Sequence, residues 1–214
     1  GEGGMLVTND SNLCLRMQLI RNHAEASVGE IPGQSLVNMI GHNFRMGEIE
    51  AAIGIEQLKK LSSLAQSRQD IANSITQRLQ KLPGLQLPFI RDGNSHAFYV
   101  YPLILDVELL GVSREKIIQA LEAEGVHGLT AGYTNIHRLP MYQQKIAYGS
   151  RGFPWTFSKN TFDYSLGSCP VAEEMHDSKF LGFEMCCFAM NEKEIDLFCT
   201  AFEKVWSNIS LLCD

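Results

Sequence analysis

GHNFRMGEIEAAIGIEQLKKL, residues Gly41 to Leu61, joins a short polar stretch to the start of a strongly periodic apolar one. From Ile49 onward, Ile53, Leu58, Leu61, Leu64, Ile71, Ile75, Leu79 and Leu82 recur at helical spacing. That spacing predicts one long helix, with a possible kink or break near Ser62-Ser63. Pro83-Gly84 stops it, because proline has no amide hydrogen to donate and crowds the preceding turn. At the helix start, Ala51, Ala52 and Gly54 let another backbone approach closely, while Asn43 and Arg45 stand as polar groups at its lip. Composition alone makes this a capped helix behind a solvated loop.

On the N-terminal side, GEGG (Gly1 to Gly4) is a tight turn, a use to which glycine's backbone freedom is suited. Met5 to Thr8 reads as a short buried strand closed by Asn9-Asp10-Ser11. Leu13, Met17 and Ile20 predict a helix from Asn12 to Asn22. Ala24 to Asn38 is rich in Gly, Pro, Ser and Glu and has no period, so it is a long loop of the kind that often carries function. On the C-terminal side, Ala97 to Leu105 reads as a strand by its aromatic and β-branched content. Ser113 caps a helix carrying Ile117 and Leu121, which ends at Gly125. His127 to Thr134 is a weaker strand, and Asn135 to Asp163 is an irregular aromatic stretch with short turns. Ser165 to His176 leads into another helix, and Gly182 to Met190 is the last strand. Asn191 and Glu194 form a capping box that opens a final helix, whose apolar face is Ile195, Phe198, Phe202, Val205 and Trp206. The whole is an α/β chain.

With 45% hydrophobic and 20% charged residues, the composition is that of an ordinary soluble globular protein. A net charge of −6, with acidic and basic residues interspersed, argues against a nucleic-acid surface. No apolar run is long enough for a membrane span, and no signal-peptide pattern is present. The six cysteines include no CxxC, so neither a zinc site nor a redox pair is expected, and reduced thiols in a cytoplasmic protein are the plain reading. His96 and His127 are read as packing or solvated residues, Trp155 and Trp206 as core, and His176 shows no metal-ligand spacing. The chain opens on Gly1 without an initiator Met, which is how an excised or processed piece begins.

GEGGMLVTND, then RNH (Arg21 to His23), the Gly41 to Leu61 stretch and CPVAEE (Cys169 to Glu174) follow one another in an order and spacing that resemble the DegT/StrS-like sugar aminotransferases. These are fold-type I enzymes that use pyridoxal phosphate (PLP). HAFYVYPL, GVSREKIIQALEAEGV and IHRLPMY are similar to the family's small domain. The resemblance implies the C-terminal part of such an enzyme. Residues 1–52 would be a remnant of the PLP-binding large domain, 53–84 a connecting helix, and 85–214 a small α/β domain with a short, mostly antiparallel sheet.

It also implies a chemistry. An amino donor, glutamate or glutamine, passes its amino group to PLP, and the resulting amine attacks a keto group on a nucleotide-linked sugar. The lysine that holds PLP as a Schiff base lies, in the family, a few residues before GEGG, and none of the nine lysines here stands there. No catalytic residue is therefore expected in this chain, which alone would be inactive. Asn43 matches the position that reaches across a homodimer to the partner's PLP phosphate, a task that suits an uncharged donor. Arg45 would bind phosphate or brace the loop, and bracing is favoured. Arg21 and His23, at the head of the loop lining the sugar-nucleotide entrance, and His137 and Tyr142 in IHRLPMY are further substrate-binding candidates, each with a structural role as the alternative. Ala24 stands where the family commonly has Gly, and His42 where it has Tyr, which puts the loop's shape in question. A PLP sugar dehydratase, with histidine in place of the lysine, and a non-catalytic interaction module are the rival readings.

Overall fold

The computed structural model describes residues 2–25 and 39–213. The chain divides into two compact units, Gly1–Ser63 and Leu64–Asp214.

In the first unit, residues 2–8 pair with no neighbour among the described residues, and Met5, Leu6 and Val7 are exposed. The buried strand expected from Met5 to Thr8 is not formed. A strand needs a second strand to receive its amide and carbonyl groups, and none is offered here. Helix α1, Ser11–Arg21, is one residue shifted from the expected span. Asp10 caps it, accepting from Asn12 N at 2.8 Å and Leu13 N at 3.0 Å. Beyond Glu25, the long loop expected to reach Asn38 lies outside the described residues.

Helix α2, Glu48–Leu79, begins in this unit and runs into the second. It is unbroken at Ser62-Ser63, where a kink was expected. Ser63 Oγ donates to the Lys60 carbonyl at 2.9 Å, so its hydroxyl is satisfied on the helix itself and the serines impose no break.

The second unit is built on a four-stranded sheet of β1 (Leu85–Gln86), β2 (Tyr101–Leu105), β3 (Leu129–Thr130) and β4 (Phe180–Phe183). The order is β1-β2-β4-β3, and every neighbouring pair is antiparallel. The strands are shorter than the sequence suggested. Phe98 adopts a left-handed conformation (φ 48°) and donates its amide to His96 Nδ1 at 2.8 Å, so β2 cannot extend back to Ala97. The last strand lies earlier than expected, because β2 offers partners only to Phe180–Phe183, and Met185–Cys187 closes into a 3-10 turn instead. A Cβ at Gly182 would meet Val100 and Thr130 side chains at 2.8 and 2.9 Å, so only glycine passes at the centre of this strand.

Helices α3 (Val107–Leu110), α4 (Arg114–Ala123), α5 (Pro140–Gln144), α6 (Pro170–Glu174) and α7 (Glu192–Ser207) complete the unit. Tyr101, Leu103 and Leu105 of β2 share one apolar core with Ile75 and Leu79 of α2, Ile117 and Leu121 of α4, and Phe202 of α7. The local signals operate as expected. Ser113 caps α4 and Asn191 with Glu194 forms the capping box of α7. The Tyr101 hydroxyl meets Thr76 Oγ1 at 2.6 Å, and burial pushes this phenol up to about 12, so it remains protonated. Trp206 Nε1 donates to the Pro83 carbonyl at 2.8 Å, tying α7 to the turn that follows α2. Trp155, expected in the core, is only half-buried.

Phe202 is fully buried, whereas the Asn191 cap is exposed. Phe202→Ala should therefore cost about 3–5 kcal/mol, and Asn191→Ala only about 1 kcal/mol. Urea unfolding followed by fluorescence of the buried Trp206 checks the order; equal losses would contradict the core described here.

Candidate functional site

The first set of site residues is assembled by a backbone clasp. As α1 ends, residues 20–23 run antiparallel to 42–44: His42 N donates to Ile20 O at 2.7 Å, His23 N to His42 O at 3.0 Å, and Phe44 N to Arg21 O at 2.9 Å. Asn22 and Asn43 face each other in this pairing. Arg21, His23, Asn43 and Arg45, some twenty positions apart in sequence, are thus brought together. A glycine makes the approach possible, since a Cβ at Gly41 would lie 2.1 Å from the Ala24 nitrogen.

Within the clasp the side chains divide their work. The Arg45 guanidinium donates to Asn22 Oδ1, so it is engaged as a brace. Asn43 is exposed; its Oδ1 accepts from Arg45 N at 3.4 Å, and among the described residues nothing engages its Nδ2. An amide hydrogen-bond donor is therefore presented outward on a held backbone, which fits a phosphate oxygen. His42 stacks on Phe44 with centroids 4.9 Å apart, so an aromatic ring is retained there. Arg21 borders an apolar depression of about 680 Å³ with Met5, Met17, Phe44 and Met46.

The second set lies in the other unit. His137, in a 3-10 turn (Ile136–Arg138), places Nε2 2.8 Å from Glu173 Oε1. Glu173, in α6, is buried at 7% exposure. Its carboxylate also accepts from Gly167 N at 2.8 Å and Cys169 N at 3.2 Å. Burial favours the neutral acid, but these amides and His137 outweigh it and hold the carboxyl below its usual range. An ionised carboxylate only accepts, so His137 Nε2 carries the hydrogen.

Tyr142, in α5, presents its ring edge-on to Trp155 at 6.0 Å and Tyr164 at 5.4 Å. Gln143 joins this aromatic group to the histidine turn, donating to His137 O at 2.8 Å and Tyr164 O at 2.6 Å. Sequence reasoning missed Glu173, Asn22 and Gln143. The only available sign was the proline opening α6, which places an acidic residue in its first turn. It also missed Arg114, buried and donating to the carbonyls of His176 at 2.6 Å and Phe180 at 3.2 Å ahead of β4. Among the described residues no group of three or more His, Cys, Asp or Glu could hold a metal ion, and no helix is long and apolar enough to cross a membrane.

An antiparallel sheet with its helices, joined to a long helix and a polar clasp, is part of the fold-type I PLP transferase architecture. Its solved counterparts include Streptomyces venezuelae DesV, in complex with a ketimine intermediate, with a TM-score of 0.68 at 20% identity over 94% of this chain and 46% of that one. Helicobacter pylori PseC, an aminotransferase of pseudaminic acid biosynthesis, matches with a TM-score of 0.63 at 21% identity, over 94% of this chain and 48% of that one. Residues 1–179 match the model of the DegT/DnrJ/EryC1/StrS aminotransferase family, and the chain belongs to that family. It is 32% identical over 183 residues to the spore coat polysaccharide biosynthesis protein SpsC of Bacillus subtilis, covering 83% of this chain and 46% of that protein. It is 31% identical over 147 residues to the UDP-4-amino-4,6-dideoxy-N-acetyl-beta-L-altrosamine transaminase of Helicobacter pylori, covering 68% of this chain and 36% of that protein. The chain spans about half the length or less of the curated relatives it matches.

The lowered Glu173 carboxyl has a definite pH signature. A depressed folded value stabilises the fold above the ordinary carboxyl value of 4.5, and the contribution is lost as pH falls through the folded value. Protection factors of the Gly167 and Cys169 amides, which remove the intrinsic pH dependence of exchange, should therefore fall on acidification below that value. In Glu173→Gln they should be low at neutral pH and change little with acid. High, pH-independent protection in both forms would rule the latch out.

Proposed function

We propose that the chain is part of a PLP-dependent aminotransferase that moves an amino group from glutamate or glutamine to a keto sugar carried on a nucleotide. The observation that carries this is Asn43, whose amide donor nothing among the described residues engages, with Arg45 already committed to bracing. The relatives support it: one is named as a UDP-amino-sugar transaminase, another as a GDP-perosamine synthase. PLP, when bound, serves as the electron sink that stores the amino group between donor and acceptor.

In this reading, Asn43 donates to the phosphate of PLP in the partner subunit of a homodimer. Arg21 and His23 line the sugar-nucleotide entrance, and His137 and Tyr142 are separate candidates for substrate contact. His137, with its ring fixed through Glu173, offers Nδ1 to a sugar hydroxyl. Ile49, Ile53 and Leu58 of α2 are exposed, an apolar stripe of the kind a subunit interface covers. All six cysteines are free thiols, in keeping with a reducing, cytoplasmic setting.

The parent enzyme tests the reading. With PLP and glutamate, 2-oxoglutarate should form beyond one equivalent per site only when a nucleotide-linked keto sugar is supplied; repeated turnover with simple 2-oxo acids alone would refute it. Asn43→Ala removes one hydrogen bond to a charged group, worth about 1.5–3 kcal/mol, so PLP retention in dialysis should fall about tenfold or more. Unchanged retention would take Asn43 out of the site. The present chain, mixed with PLP, should show no visible absorbance that survives dialysis and is fixed by borohydride.

A further inference from the structure

In the second unit two adjacent thiols stand together, one of them at the edge of a groove. Cys186 and Cys187 belong to the 3-10 turn Met185–Cys187, with their sulfurs 3.9 Å apart. The turn is held on every side. Met185 is fully buried. Glu184 N donates to Gly128 O at 2.8 Å, Cys187 N to Glu184 O at 3.0 Å, and Phe188 N to Met185 O at 3.2 Å. Phe188 stacks on Phe183 with centroids 5.5 Å apart. Cys187 is exposed and Cys186 half-buried, so the pair is open to a reagent yet fixed in direction. Cys187 borders a groove of about 600 Å³ walled by Phe183, Phe188, Met190, Leu197 and Ala201. Lys204 and Glu124, paired at 2.6 Å, stand at its rim.

We propose that Cys186 and Cys187 form a dithiol site for trivalent arylarsenicals, with the aryl group seated in this groove. The reaction is a condensation: two As–S bonds form, two As–O bonds of the arsonous acid break, and the two thiol protons leave in two waters. Arsenic stays trivalent and no sulfur is oxidised, so no oxidant is needed. Soft sulfur ligands suit such a centre, and the second bond closes within the molecule at high effective concentration, an advantage a single thiol lacks. The groove supplies aromatic and aliphatic surface for the ring.

The pair also discriminates between reagents. The hydrogen bond shared with Cys186, with burial adding to it, raises the Cys187 thiol above its usual value. Alkylation proceeds through the thiolate, so haloacetamides should modify Cys187 slowly, whereas the arsenical removes the thiol proton as water.

The test uses the present chain, reduced and freed of reductant, with phenylarsine oxide as the probe. One equivalent should remove two titratable thiols and add one arsenical per chain by intact mass. A monothiol should leave the adduct in place and a 1,2-dithiol should strip it. Cys186→Ser or Cys187→Ser should abolish the monothiol-resistant adduct. A resistant adduct in the double variant, or none in the unmodified chain, would overturn the proposal. Leu197 is 62% exposed, so Leu197→Ala leaves the core intact. It should weaken binding of the phenyl compound several-fold and leave a methyl arsenical unaffected; equal effects on both would remove the groove from the site.

Discussion

A single helix of 32 residues is buried only from Ile71 onward, and that asymmetry constrains everything else in the chain. Isolated helices are marginal in water, and most of their stability in proteins comes from packing one face. For α2 that packing is supplied at its C-terminal end, by Ile71, Ala72, Ile75 and Leu79 in the core of the second unit. Its N-terminal half has acidic residues in the first turn and a Lys59–Glu56 pair at 2.5 Å. Such surface pairs contribute about 0.3–0.5 kcal/mol each. That is small beside the cost of leaving Ile49 at 75% and Leu58 at 69% exposure. An apolar stripe maintained on a helix anchored elsewhere is the expected form of an interface element, in line with the homodimer proposed above.

The clasp shows how a local departure from a family pattern can be absorbed. His23 and Ala24 have φ of 60° and 57°, two successive non-glycine residues in the left-handed region, where each costs about 1–2 kcal/mol. The Ala24 amide returns to Leu19 O at 2.7 Å, closing α1, and the His23 amide is held by His42 O at 3.0 Å. Several backbone hydrogen bonds across the clasp offset the strain, so Ala24 follows a path on which glycine would be easier. His42 keeps an aromatic face toward Phe44. Both departures change side chains without moving Asn43 off its pairing with Asn22.

What was legible in the sequence is what local chemistry decides. The caps at Ser113 and Asn191, the stop after Leu121 and the apolar face of α7 depend on residues within one or two turns of each other. Strand limits were harder to read, because pairing is settled by partners far away: β2 begins only where Phe98 releases it, and Phe180–Phe183 is a strand because β2 lies beside it. Met5 to Thr8 has strand composition but no partner among the described residues. The same reason hid part of the site. Asn43 and Arg45 could be named from their motif, but the Asn22 brace and the Glu173 latch join residues 23 and 36 positions apart. An acidic run such as Ala172-Glu173-Glu174 reads as solvated until folding buries one of its carboxylates.

Under the function proposed above, these arrangements also explain how an acidic chain, at −6, can serve anionic ligands. A long-range positive field is not available to it, so recognition must come from short-range donors placed one at a time. The clasp spends its nearest cation, Arg45, on Asn22 Oδ1 and leaves a neutral amide to face outward. In the second unit the buried charge of Glu173 is spread over two backbone amides and an imidazole rather than matched by a free cation. Its ring partner is thereby held in place through Nε2. In both units charge is used to fix geometry, and neutral groups are left for contact. Under the function proposed above, that choice favours selectivity for hydrogen-bonding pattern over raw attraction, which suits a site that distinguishes one sugar from its epimers while every nucleotide sugar carries similar charge.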